Sequence, residues 1–146
     1  MSDIIIFDLD GTVCDCTHRL KYLETKPKDW DSFYGAVGQD EPITQSVELL
    51  KLLLPRYRII FLSGRRESCR DDTNKWLKRY GLHNYYILQL RKDGDFRPDT
   101  IVKKEFYEDN IKPFWKPFLV FEDRASVVEM WRGLGLVCYQ VAEGKF

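Results

Sequence analysis

The sequence predicts an α/β domain with a central parallel sheet of about five strands, helices on both faces and a small insertion after the first strand. Three observations predict it. Short apolar runs of strand length recur along the chain, helix-like segments lie between them, and 146 residues are enough for one buried core.

The elements follow in order. Residues 4–7 (IIIF) are uniformly apolar, as a strand buried on both faces should be. Residues 17–43 break the rhythm, with Pro27, Pro42, Gly35, Gly38 and the aromatic group Trp30, Phe33 and Tyr34. A connection of this length is usually functional, and one or two short helices flanking a pocket mouth are expected there. Residues 46–54 (SVELLKLLL) place apolar groups on one side of a helix that Pro55 stops. A second strand is predicted at 58–62, followed by Ser-Gly-Arg. A helix at 67–80 closes at Gly81. A third strand at 85–90, a helix at 103–110 and a fourth strand at 117–121 come next, the last followed by Glu-Asp-Arg. A helix at 125–134, ending near Gly133 or Gly135, leads to a fifth strand at 136–141.

Composition excludes some functions. There are 23 basic and 23 acidic residues, a formal net charge of zero. That argues against a broad, charge-driven grip on a long nucleic-acid backbone, although a local basic patch is allowed. No apolar run reaches membrane-spanning length, and the first residues lack the pattern of a secretory signal. Cys14, Cys16, Cys69 and Cys138 form no CxxC pair. They are expected to be free thiols in a reducing cytoplasm.

In an open parallel sheet, ligands bind beyond the carboxyl ends of the strands. That rule gathers Asp8, Ser63 and the Glu122-Asp123 pair at one rim. Asp8 and Asp10 repel one another unless a cation or proton compensates. Bound Mg²⁺, which takes oxygen ligands, is the simplest resolution. With a phosphate ester in place, Asp8 could attack phosphorus. Asp10 could protonate the leaving oxygen and then deprotonate water. Ser63 and the backbone around Gly64 could hold a phosphate oxygen. Lys103 or Lys104 could balance the charge. Arg65 and Arg19 suit bidentate phosphate contact, and Arg97, with Arg91 and Lys92 nearby, is a weaker candidate. His18 reads as substrate-side or structural and His83 as structural. Trp30, Phe33 and Tyr34 line the entrance, where an aromatic ring can stack on a base, or, the favoured reading, form a small core of the insertion. Taken singly, a DxD can be a surface turn and an acid before a helix a cap. Their occurrence in the order DxDGT, SGR, lysine, ED favours a site.

FDLDGT, FLSGR, a lysine near position 103 and VFEDR resemble the four motifs of the haloacid dehalogenase-type phosphatase superfamily. The resemblance implies a Rossmann-like fold, a requirement for Mg²⁺ and an aspartyl-phosphate intermediate. It implies Asp8, the backbone carbonyl of Asp10 and Asp123 as metal ligands, with Glu122 supporting through water. The motifs run from end to end of residues 1–146, so a single domain is expected, with residues 17–43 as its accessory insertion.

A narrower likeness rests on FDLDGT, SGR, VKKEF, EDRASVVEMWRGLG and CYQVAEGKF. These stretches are similar to the 3′-phosphatase domain of bacteriophage polynucleotide kinase. The likeness implies removal of a 3′-phosphate from DNA or RNA ends. It assigns Arg19 and Arg65 to substrate and Asp99 to support, and the Asp99–Lys103 spacing selects Lys103 over Lys104. Glu122-Asp123 stands where that family usually has Asp-Asp, one methylene longer. No GxxxxGK[ST] loop occurs, so no 5′-kinase activity is expected, and a separate kinase or ligase is the expected companion. The expected location is cytoplasmic, the host cytoplasm if the chain is phage-encoded. The alternatives are a nucleotide or small-metabolite phosphatase of the same fold and, from a different class, a non-catalytic binding module.

Overall fold

Ile4–Phe7 (β1) is the axis of the fold. The computed structural model describes residues 3–144. All four β1 residues are 1% exposed or less. Alternation along the strand sends Ile5 and Phe7 into one apolar core and Ile4 and Ile6 into another on the opposite face. The chain continues through Cys14–Asp15 (β2), Trp30–Gly35 (α1), Glu41–Pro42 (β3) and Thr44–Leu53 (α2). Then come Arg58–Arg66 (β4), Arg70–Arg79 (α3), Ile87–Arg91 (β5) and Asp99–Phe106 (α4). Leu119–Arg124 (β6), Ala125–Gly133 (α5) and Cys138–Gly144 (β7) complete it.

The main sheet has the order β5-β4-β1-β6-β7, and every pairing in it is parallel. Val47 and Leu50 of α2 and Trp76 and Leu77 of α3 fill the core on one face. Val127, Val128 and Trp131 of α5, with Tyr107 just past α4, fill the other. Phe7 and Phe121 stack at 4.3 Å across β1 and β6. The five parallel strands and two helical layers are those expected from the sequence.

The boundaries differ in an informative way. The strands predicted to stop at residues 62 and 121 run on to Arg66 and Arg124. Polar residues continue them because Arg66 pairs with Arg91 and Arg124 with Gly144, each beyond a register shift. The Ser-Gly-Arg and Glu-Asp-Arg stretches therefore lie on the last rungs of the sheet, not after it. The helix predicted at 103–110 starts instead at Asp99, directly after Pro98, and widens into a π turn at Tyr107–Ile111. The helix predicted at 67–80 divides into a 3₁₀ turn, Glu67–Cys69, and α3. Residues 17–43 hold one six-residue helix, α1, capped by the Asp29 side chain, and 3₁₀ turns at Thr17–Leu23 and Val37–Gln39. The four cysteines are free. Among the described residues no helix is long and apolar enough to cross a membrane.

Candidate active site

Asp8 extends the sheet by one rung, its N–H donating to the Phe121 carbonyl at 3.0 Å. Strand alternation puts its side chain on the Ile4/Ile6 face, toward α4. There the Lys103 ammonium donates to Asp8 Oδ1 at 2.9 Å and to Glu122 Oε2 at 2.8 Å. Glu122 Oε1 accepts from the backbone amides of Asp123 and Arg124, both at 3.2 Å. Gly11 makes the turn after Asp8 possible. Its φ is +80°, and a Cβ there would lie 2.1 Å from Asp123 Oδ2.

This first group holds three carboxylates against one ammonium. One oxygen from each of Asp8, Glu122 and Asp123 can be chosen so that all lie within 4.8 Å of one another. Burial, then the charge of Glu122, pushes the Asp8 carboxyl up to about 7, against the pull of Lys103. Burial and Asp8 push Asp123 up to about 6, and burial raises Glu122. Burial would discharge Lys103, but Asp8 and Glu122 outweigh it and keep the ammonium protonated.

A second group is balanced. Asp10 Oδ1 accepts from Arg19 Nη2 at 2.7 Å and from Arg65 Nη2 and Nε at 2.6 and 3.1 Å. Both arginines also reach Asp40, Arg19 at 2.8 Å to each carboxylate oxygen and Arg65 at 2.9 Å. His18 Nε2 lies 2.6 Å from Asp40 Oδ1. The Trp76 indole donates to the Asp40 carbonyl at 2.7 Å, Arg65 donates to the Thr73 hydroxyl at 3.0 Å, and Arg19 lies 4.5 Å over the Phe33 ring. Arg19, Arg65 and Asp40 are almost fully buried. Burial pushes Asp10 upward, yet Arg65 and Arg19 more than offset it and hold the carboxyl below the ordinary range.

Sequence reasoning missed Asp40, which sits in no motif. The charge count was its one available clue. Two buried arginines need two anions, and Asp10 supplies only one.

Ser63 is buried within β4, three residues before its end, its hydroxyl accepting from the Arg65 amide at 3.1 Å. A Cβ on Gly64 would lie 2.5 Å from Asp99 Oδ1, so the Asp99 carboxylate packs directly on this backbone. Asp99 is itself paired with Arg91 and, at 3.0 Å, with Arg124. Arg91 also donates to the carbonyls of Gly64, Asp95 and Arg97. Arg91, weighed only as a neighbour of Arg97, is thus the hub of this corner. Arg97 instead forms surface pairs with Asp95 and Glu105, at 2.8 and 2.6 Å. Lys103 lies one turn into α4 from Asp99, while Lys104 and His83 are exposed. Trp30, Phe33 and Tyr34 divide, Phe33 buried and Trp30 exposed.

A parallel Rossmann-like sheet with these carboxylates, lysine and arginines at its carboxyl rim defines a phosphatase of the haloacid dehalogenase class. The candidate HAD hydrolase YfnB from Bacillus subtilis, solved with magnesium, shares the fold at a TM-score of 0.69 and 10% identity, over 97% of this chain and 93% of that one. The family described as the polynucleotide kinase PNKP phosphatase domain matches residues 2–146, and the chain belongs to that family. A candidate bifunctional polynucleotide kinase/RNA ligase of Autographa californica nuclear polyhedrosis virus is 32% identical over 132 residues, 89% of this chain. A chain in the Pnkp1/Rnl/Hen1 RNA repair complex matches 98% of this chain at a TM-score of 0.85 and 33% identity. This chain spans 18% of the viral relative and 43% of the repair-complex chain.

Proposed function

We propose that residues 1–146 act as one Mg²⁺-dependent phosphomonoesterase domain that removes the 3′-phosphate from nucleic-acid ends through an aspartyl-phosphate. The observation that carries the reading is Asp8, held at the sheet rim by Lys103 within a group that has an excess of acid. That group suits the metal, because its donors are hard carboxylate oxygens and its charge calls for a dication. Asp8, Asp123 and the Asp10 carbonyl would hold Mg²⁺, with Glu122 behind them. Mg²⁺ supplies positive charge against the phosphate oxygens.

The chain's own residues divide the remaining work. An Asp8 carboxylate oxygen attacks phosphorus, and the bond from phosphorus to the 3′-oxygen breaks. Asp10 gives that leaving oxygen its proton. Asp10 then takes a proton from water, which attacks the phosphorus. The bond to Asp8 breaks and inorganic phosphate leaves. All three guanidinium bonds to Asp10 fall on Oδ1, so Oδ2 is the oxygen assigned to the proton. A dianionic ester beside the partly exposed Asp10 carboxylate opposes the arginines' pull on it and favours proton uptake. Ser63 and the backbone at Gly64 bind the phosphoryl group, and Asp99 fixes the position of Gly64. Arg19 and Arg65, buried with their donors on Asp10 and Asp40, hold Asp10 in place rather than touching the phosphate.

Family membership supports the choice of a nucleic-acid end over a metabolite. Two relatives bring in a polynucleotide kinase, an RNA ligase and an RNA repair complex. They support RNA ends among the substrates, and a kinase or ligase as companion. The four free thiols suit a reducing cytoplasm. The test is a panel of 3′- and 5′-phosphorylated oligonucleotides and free 3′- and 5′-nucleotides, with Mg²⁺ or with chelator. Hydrolysis confined to 3′-phosphates in Mg²⁺, fastest on oligonucleotides, is expected. A clear preference for free nucleotides or sugar phosphates would overturn the reading.

A further inference from the structure

α1 presents three aromatic rings to three different surroundings. Phe33 faces inward beneath Arg19. Tyr34 reaches the phosphate corner, its hydroxyl donating to the Gly64 carbonyl at 3.4 Å. Trp30, one turn earlier, stacks on Tyr34 with centroids 5.9 Å apart and planes 22° from parallel, and it is 39% exposed. Cations flank the pair. Arg66 lies 5.0 Å from the Tyr34 ring, and the Lys28 ammonium lies 5.8 Å from the Trp30 ring. Arg66 is fixed in turn by Asp31 at 2.8 Å. The result is a row of cation, ring, ring and cation leading outward from Gly64.

We propose that this row is a base-stacking shelf on which Trp30 seats one of the last two bases of the strand whose 3′-phosphate is removed. The inference rests on the 3′-phosphatase reading and adds how the strand is told from a sugar phosphate. Every nucleobase offers a flat π face to an aromatic ring, and its backbone offers an anion to the flanking lysine and arginine. A sugar phosphate offers the anion alone. The groups described above, from Asp8 to Asp99, gather at the phosphoryl end, and the Trp30–Tyr34 pair is what extends beyond it. With 23 basic and 23 acidic residues the net charge supplies no broad pull on a polyanion, which gives a local contact more weight.

The test compares two substrates on wild-type, W30A and W30F proteins in Mg²⁺. One is a single-stranded 3′-phosphorylated oligonucleotide. The other is the same strand with its last two sugars lacking bases. In the wild type, kcat/KM favours the intact strand about tenfold, the scale of one base–aromatic stack, mainly through KM. In W30A that ratio falls toward one, and W30F restores much of it. Because the ratio is taken within one protein, a general loss of folded enzyme cancels. Equal ratios in wild type and W30A would overturn the shelf and leave the 3′-phosphatase reading standing. A wild-type enzyme that leaves the intact 3′-phosphorylated strand untouched would overturn both.

Discussion

At the residue scale the site is an exercise in charge accounting. Asp10, Asp40, Arg19 and Arg65 neutralise one another in a buried cluster, and removing one member leaves an uncompensated charge. Asp40→Asn is therefore expected to destabilise the protein by about 3–5 kcal/mol, read as a lower urea midpoint with an unchanged slope. It should also lower activity, since both arginines lose the anchor that aims them. Asp8, Asp10, Arg19 and Arg65 were legible in the sequence because motif spacing marks them. Asp40 was not, because it acts through a partner 21 residues away and carries no local pattern.

At the scale of elements, Asp8 follows β1 directly, Ser63, Glu122 and Asp123 lie toward the ends of β4 and β6, and Lys103 lies in the second turn of α4. Phe7 packs between Phe61 and Phe121 directly before Asp8. Phe7→Ala should cost about 3–5 kcal/mol on thermal or denaturant unfolding and reduce activity together with it, because the cavity loosens the strand that aims Asp8. The junction of β4 and α4 allows a sharper test. Gly64→Ala should impair turnover strongly, because its methyl would collide with the Asp99 carboxylate. In an Asp99→Ala background the added effect of Gly64→Ala should be much smaller, a non-additivity measured by a double-mutant cycle. Strand and helix order was readable from apolar runs and their spacing. Element ends were not. Strands β4 and β6 continue through polar residues that the sheet pairs and buries, and an apolar-run rule stops where polarity begins.

At the scale of the whole molecule, metal, protons and stability are linked. The raised Asp8 and Asp123 carboxyls bind protons in the folded, metal-free protein at pH values where the unfolded chain has already lost them. Their contribution to stability is thus present at acid pH and is lost as pH rises through about 6 to 7. Mg²⁺ binds the deprotonated carboxylates, so its affinity should rise over the same window. The increase in Tm on adding Mg²⁺ should be larger at pH 8 than at pH 5.5, and calorimetry in buffers of different ionisation heat should detect proton release. The acid excess that motivates this was visible in the sequence as Asp8 with Glu122-Asp123. A lysine to oppose it was expected as well, but that Lys103 bridges Asp8 and Glu122 required the fold.

The central claim is that Asp8 carries the phosphoryl group taken from a 3′ end. The most direct measurement is a single-turnover reaction of the protein with a 3′-radiolabelled phosphoryl oligonucleotide in Mg²⁺, quenched in acid and mapped by peptide. Transient label is expected on the peptide containing Asp8, absent with chelator and absent from Asp8→Asn, which should be inactive. An Asp8→Asn protein that releases phosphate at an undiminished rate would contradict it.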